Sequence, residues 1–235
     1  MKPLRICFFS RSYYPDLGAT GQLLTELAED LVRDYGWKVS VVAGVPRLEG
    51  KERQRRPRGF VPVRREVRNG VEILRAMGTT FPPGKFVARA TNYVSYFLSA
   101  CLAALQVPRP DVVVSLTDPP IIGLAARLTA RLSGARFVFL CQDVFPEVAR
   151  LLEDFHSETI NHLLDAVNRF VLKRADRVIA IGETMRDRLI NEKGVFPDKV
   201  TVIHNWADCS AIFPGPKQNP FSVTHGLADQ FVVMH

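Results

Sequence analysis

The stretch that decides the fold is "LRICFFSRSYYPDLGATGQLLTELAEDL", Leu4 to Leu31. It opens on the short apolar run Leu4 to Ser10, aromatic and β-branched, which suits a strand buried on both faces. From Thr20 to Tyr35 apolar residues recur at helical spacing, with Thr20 as a start signal. Between run and helix lies a loop holding Pro15, Gly18 and Gly21. A strand, a glycine loop and a helix in that order bring backbone N–H groups and a positive helix end to the carboxyl edge of a sheet, where an anion is welcome.

The same rhythm continues. "WKVSVVAG" (Trp37 to Gly44), "DVVVSL" (Asp111 to Leu116), "RFVFLC" (Arg136 to Cys141), "DRVIAIG" (Asp176 to Gly182) and "KVTVIHN" (Lys199 to Asn205) read as further buried parallel strands. Helical patterns run over Pro119 to Leu132, Glu158 to Lys173 and Glu183 to Lys193. This alternation predicts an α/β fold with a Rossmann-like, doubly wound, mostly parallel sheet.

Two segments interrupt the alternation. Arg47 to Arg75 is dense in Arg and Lys, and its extended runs Phe60 to Arg64 and Val71 to Arg75, around a turn at Asn69-Gly70, predict a basic loop and hairpin insertion. Phe81 to Leu105 is strongly apolar, but Thr91, Asn92, Ser95, Ser99 and a following Gln106 make it a poor lipid-spanning stretch, so a buried or half-buried helix is expected. After Asp208 the chain turns rich in Pro, Gly and Asn before a new apolar run, "FVVMH". The expected division is a domain over residues 1–208, then, over 209–235, a linker and the first strand of a second, truncated domain.

The 235 residues, 47% hydrophobic and 23% charged, are enough for an ample core. Lys and Arg number 31 against 24 Asp and Glu, a net charge of +7 that points to an anionic partner. The four cysteines lie far apart with no Cys-x-x-Cys pair, so neither a zinc site nor a disulfide framework is indicated and a reducing compartment is expected. The amino-terminal apolar run is too short for a signal-peptide core, so secretion is not expected.

The glycine loop fits no common nucleotide fingerprint. Its spacing is Gly-x-x-Gly, not Gly-x-Gly-x-x-Gly, and the second strand ends in Ala43-Gly44-Val45-Pro46 without an acid for a ribose hydroxyl. No Gly-Lys-Ser or Gly-Lys-Thr is present, which removes a P-loop. Gly18 and Gly21 therefore leave two readings open: close approach to an anionic ligand, or only a tight turn with close helix packing.

Four segments carry a resemblance. "FFSRSYYPDLGATGQLLTELAEDL", "CQDVFPE", "RADRVIAIGETMRDRLI" and "KVTVIHNWAD", in this order and spacing, resemble the amino-terminal half of GT-B glycosyltransferases of family 4, nearest to the bacterial colanic-acid and exopolysaccharide type. The resemblance implies two Rossmann-like domains across a cleft, with this one facing the acceptor and the other holding the nucleotide-sugar. It implies retention at the anomeric carbon, a nucleotide-sugar donor as substrate and no cofactor or metal.

On that resemblance Gly18, Ala19, Thr20 and Gly21 would offer backbone N–H groups to the donor diphosphate and sugar. Tyr14, Gln142 and Asn205 would line the cleft. Many members have a histidine where Gln142-Asp143 stands, which leaves that sugar contact unassigned. Asp143, with Glu147 after it, follows the strand ending at Cys141 and would accept a hydrogen bond from an acceptor hydroxyl or orient the sugar; the alternative is that Asp143 caps a helix begun by Pro146 and Glu147 favours its positive end. Asn205 also reads as a turn former.

Arg55, Arg56, Arg58, Arg64 and Arg65 read either as a solvated loop or as a site for anionic lipid or a lipid-linked saccharide acceptor, which would place the protein in the cytoplasm, peripheral to the inner face of the plasma membrane. Nucleic acid is not expected, because no helix-turn-helix, aromatic RNA-binding strand or zinc finger accompanies the arginines. The rival readings are a GT-B sugar-nucleotide epimerase and a non-catalytic membrane-docking module.

Overall fold

The computed structural model describes residues 2–16, 18–46, 62–79, 81, 86–148, 158–209 and 212–233. The elements, in chain order, are β1 (Arg5–Phe9), α1 (Ala19–Tyr35), β2 (Lys38–Gly44), β3 (Val63–Arg68), β4 (Val71–Ala76), α2 (Phe86–Ala104), β5 (Val112–Ser115) and α3 (Ile122–Ser133). There follow β6 (Arg136–Cys141), α4 (Glu158–Arg174), β7 (Arg177–Ala180), α5 (Glu183–Asn191), β8 (Val200–Val202) and α6 (Pro220–Thr224).

The strands form one sheet in the order β3-β4-β2-β1-β5-β6-β7-β8, parallel throughout except for β3 against β4. The doubly wound expectation holds. From β1 the chain winds one way through β2 and β4, then returns to place β5 on the other flank of β1, so the switch point lies between β1 and β5.

Strand period 2 sorts the core into two layers. Cys7 and Phe9 of β1 join Tyr96, Ala100, Ile122 and Leu172 on one face, while Ile6 and Phe8 join Leu24, Ala28 and Val41 on the other. Helix α1 ends at Gly36, whose φ of 62° gives the left-handed cap that a Cβ disfavours. In α3, Gly123 is packed so closely that a Cβ would stand 2.7 Å from Val171 Cγ1, which brings α3 and α4 together.

The hairpin is a true member of the sheet. Asn69 (φ 47°) and Gly70 (φ 81°) form the expected two-residue turn, and Arg68 pairs with Val71 directly across it. The first arm, described over Val63–Arg68, continues past the expected end at Arg64, because so short a turn starts pairing at the adjacent residue; Phe60 and Val61 lie outside the described residues. In β4, Val71, Ile73, Leu74 and Ala76 are buried; β3 is a charged edge strand. The apolar helix is half-buried as expected, with Tyr96, Ala100 and Ala103 inside and Val94, Leu98 and Leu102 outside. Among the described residues no helix is long and apolar enough to cross a membrane.

The chain divides into two compact units, Met1–His204 and Asn205–His235. The second holds α6, started by a reciprocal capping box in which Asn219 Oδ1 accepts from the Ser222 N–H and Ser222 Oγ accepts from the Asn219 N–H, each at 3.0 Å. The described part of "FVVMH", 231–233, forms no strand: Phe231 and Val233 are 94% and 80% exposed, without the neighbouring strand that a ladder requires.

Candidate functional site

The carboxyl ends of β1, β2 and β5 are stitched together by backbone. The Ser10 N–H donates to Val42 O at 3.1 Å, the Arg11 N–H to Asp118 O at 3.0 Å and the Gly44 N–H to Arg11 O at 2.9 Å. Gly44 has no room for a side chain, since a Cβ would lie 2.9 Å from Arg11 O and 2.8 Å from Arg11 Cγ. At the switch point the Arg11 guanidinium reaches Asp118 Oδ2 through Nε at 3.0 Å and Nη2 at 2.9 Å, both side chains being about a third exposed. This ion pair bridges the loops after β1 and β5 where a doubly wound sheet opens its crevice.

The two loop glycines play different parts. Gly21 is buried, and a Cβ there would stand 3.0 Å from Asp16 O, so it serves close packing of α1 under the loop. Gly18 is exposed, with Asp16 Oδ1 the nearest atom at 3.6 Å from a built Cβ. Gly18 is also the N-cap of α1, without a side-chain cap, and the first turn carries no acid. The N–H groups that open the helix, at Ala19, Thr20 and Gly21, lack intrahelical partners by construction. Packing thus explains Gly21 and leaves Gly18 free for a ligand-facing role.

Asp143 follows β6 on the same edge and is exposed; Gln142 beside it is half-buried. Partial burial first, and the Asp118 charge second, push the Asp143 carboxyl above the usual aspartate range. The two acids follow adjacent strands, β5 and β6, at the same end of the sheet. An acid so raised exchanges protons closer to neutrality, which suits general acid–base work.

Glu147 has a different environment. Lys193, 1% exposed, sends its ammonium to Glu147 Oε1 at 2.7 Å, Asp165 Oδ1 at 2.7 Å and Phe145 O at 2.9 Å. Glu147 thus anchors its loop to α4 and to the segment after α5. Burial is the largest influence on Asp165 and raises it, but hydrogen bonds from Lys193 and Arg169 outweigh it and hold the carboxyl below its usual range.

Tyr14, 43% exposed, takes the guanidinium of Arg68 over its ring at 3.5 Å. Its N–H donates to Thr25 Oγ1 at 3.1 Å, and its carbonyl accepts from Nη2 of Arg75. Tyr13 beneath it is buried, and desolvation followed by the Glu29 charge pushes its hydroxyl up to about 12.

The edge thus brings together Tyr14, Gly18, Ala19, Thr20, Gln142 and Asp143, while Asn205 belongs to the second unit. Of the basic candidates, Arg64 and Arg65 are exposed on β3, and Arg55, Arg56 and Arg58 lie outside the described residues. Arg65 commits part of its fork to Glu72 at 3.3 Å and to Gln106 O at 2.6 Å. Arg11, Arg75, Asp118 and Lys193 were not among the sequence candidates. The available signals were an arginine inside the apolar run "VEILRA" and an acid directly after "DVVVSL" and Thr117.

Comparison with known proteins agrees with this fold. A model of the glycosyl transferase 4-like domain matches residues 18–206. The probable glycosyltransferase WbjE of Pseudomonas aeruginosa is 32% identical over 127 residues, which is 53% of this chain and 32% of that protein. Among solved structures, Anabaena HepE in complex with UDP-glucose is similar with a TM-score of 0.55 at 15% identity, over 96% of this chain and 50% of that one. Sucrose-phosphate synthase from Thermosynechococcus elongatus gives 0.64 at 12% identity, over 95% and 53%. These structures share the fold, and the chain spans about half of their length.

Proposed function

Because this chain belongs to the glycosyl transferase 4-like domain family, we propose that it is the acceptor-side domain of a retaining hexosyltransferase, inactive alone, that moves sugar from a nucleotide-sugar to a lipid-linked saccharide. The products would be exopolysaccharide or O-antigen precursors. The reading is carried by one observation: an exposed, uncapped helix start at Gly18 shares a sheet edge with Asp143, an acid whose carboxyl is raised.

The chemistry follows from those parts. The N–H groups of Ala19 and Thr20 meet the negative charge that develops on the departing diphosphate, and need no metal to do so. Asp143 takes the proton of the acceptor hydroxyl or orients the transferred sugar. Glu147, fixed by Lys193, holds the Asp143 loop in register. Tyr14 and Gln142 contact the sugars, and the nucleotide binds chiefly to a second domain.

Membrane docking is part of the proposal. The exposed apolar stripe Val94, Leu98 and Leu102 runs along α2 and continues in Leu105 just past its end, where the Arg65 bond to Gln106 O brings the basic β3 edge alongside. An apolar stripe next to cations fits an anionic bilayer surface. This supports a peripheral location at the cytoplasmic face, with the lipid-linked acceptor and anionic lipid as partners.

The test is transfer by the complete polypeptide that carries this sequence. It is incubated with membrane lipid extract and a panel of UDP- and GDP-sugars, and the anomeric configuration of the product is read by NMR. Transfer from one donor with retention supports the proposal. Interconversion of the sugar-nucleotide without acceptor points to an epimerase, and binding to vesicles with no sugar chemistry points to a docking module; either overturns it.

A further inference from the structure

We infer that Arg75 is a positioning residue, a buried clamp that fixes the β1–α1 loop against the donor; this rests on the glycosyltransferase reading above. In β4 it sits between the buried Leu74 and Ala76, and it is itself only 4% exposed. A guanidinium in such a place is tolerated when its donors meet acceptors. Nε donates to Glu66 Oε1 at 2.5 Å, Nη1 to Gly44 O at 3.3 Å and Nη2 to Tyr14 O, while its carbon lies 5.8 Å from the Tyr13 ring centre. One fork therefore joins the hairpin, the end of β2 and the loop after β1. A lysine, with a single nitrogen, cannot span acceptors spread in this way.

The Tyr14 peptide is held from the opposite side as well. Its N–H goes to Thr25 Oγ1 at 3.1 Å, and that hydroxyl donates to Gly21 O at 2.7 Å inside α1. Arg68 covers the Tyr14 ring and pairs with Glu29 of α1, which also accepts from Asn69 Nδ2 at 2.8 Å. The loop is thus pinned between β4 and α1, four residues before Gly18. Donors at a helix start accelerate transfer only if they are already fixed where charge develops. On this account the inner arginines of the basic hairpin act on the protein's own loop, and its outer ones face solvent.

The experiment compares Arg75→Lys and Glu66→Gln in the complete polypeptide. A double variant, Arg75→Met with Glu66→Gln, removes both charges and leaves none buried alone, should Arg75→Lys not fold. Amide exchange over residues 12–21 and steady-state transfer are both read. Loss of the clamp is expected to speed exchange there more than about tenfold and to lower kcat about 10- to 100-fold, with donor KM changed less than about threefold. Glu66→Gln, which leaves the Tyr14 bond in place, is expected to lose stability but to keep both readouts near wild type. Unchanged exchange in the Arg75 variants overturns the clamp, and faster exchange with undiminished kcat overturns its role in transfer. A wild type that transfers no sugar overturns the glycosyltransferase reading, and exchange then judges the clamp by itself.

Discussion

Lys193→Met is the substitution whose outcome the structure specifies most fully. Methionine keeps the length of the stem and deletes an ammonium that is 1% exposed and bonded to Glu147, Asp165 and Phe145 O. Breaking a buried ion pair from one side costs about 3–5 kcal/mol. Here the orphaned carboxylates are 30% and 27% exposed and regain some water, and Arg169 still bonds Asp165 at 2.6 Å. The expected loss is therefore about 2–3 kcal/mol at neutral pH. In a domain of this size that corresponds to a midpoint lowered by about 4–12 °C.

The pH dependence supplies an internal check. Asp165 is held below its ordinary range when folded, so its contribution is fully present above the unfolded carboxylate pKa of about 3.9 and is lost as pH falls through the lower folded value. The gap between wild type and Lys193→Met is therefore expected to narrow from pH 7 to pH 3. Urea unfolding at both pH values, followed by circular dichroism, measures it. A loss under about 1 kcal/mol, or a gap that stays constant into acid, refutes the assignment of Lys193 as the ionic anchor of this loop.

Other outcomes follow from single contacts. Gly44→Ala is expected to lose about 1–3 kcal/mol in urea unfolding, because its Cβ would meet Arg11 O at 2.9 Å, and an unchanged midpoint would contradict the close approach of those loops. Asp143→Asn should be more stable than wild type at pH 7, with the advantage disappearing in acid, since the raised carboxyl carries a penalty when ionised that is relieved as pH falls through its folded pKa. Leu98→Glu with Leu102→Glu, at positions 59% and 48% exposed, should leave stability within about 1 kcal/mol. The same pair should weaken flotation with phosphatidylglycerol vesicles at low salt, and equal flotation would remove α2 from the membrane account.

Much of the architecture was legible because each inner parallel strand announces itself as an apolar run. β1, β2, β5, β6 and β7 fall within the expected stretches. The edges were less legible. β3 is charged on most positions and lacks that signal, so only the Asn69-Gly70 turn locates the hairpin, and the pairing of Arg65 to Arg68 leaves no apolar run in the sequence. At the other edge β8 covers just Val200–Val202, since Pro197–Lys199 turn into a 3₁₀ helix before it.

For the site, position along the strand was the guide. Gly18 and Asp143 stand where strand-end loops must put them, and the structure adds that Gly21, unlike Gly18, is explained by packing. Arg75 and Lys193 were hidden for a physical reason. A lone buried cation becomes tolerable only through acceptors distant in sequence, 61 residues away for Tyr14 and 46 for Glu147. No local pattern records such partners.

The proposed transfer site joins the Gly18 helix start to Asp143, and its test is the transfer rate of Gly18→Trp and Asp143→Ala in the complete polypeptide. Both variants are expected to fold, because Gly18 and Asp143 are exposed, and both to lose transfer by at least about 100-fold. Transfer at the wild-type rate in either folded variant would contradict it and move the site away from this edge.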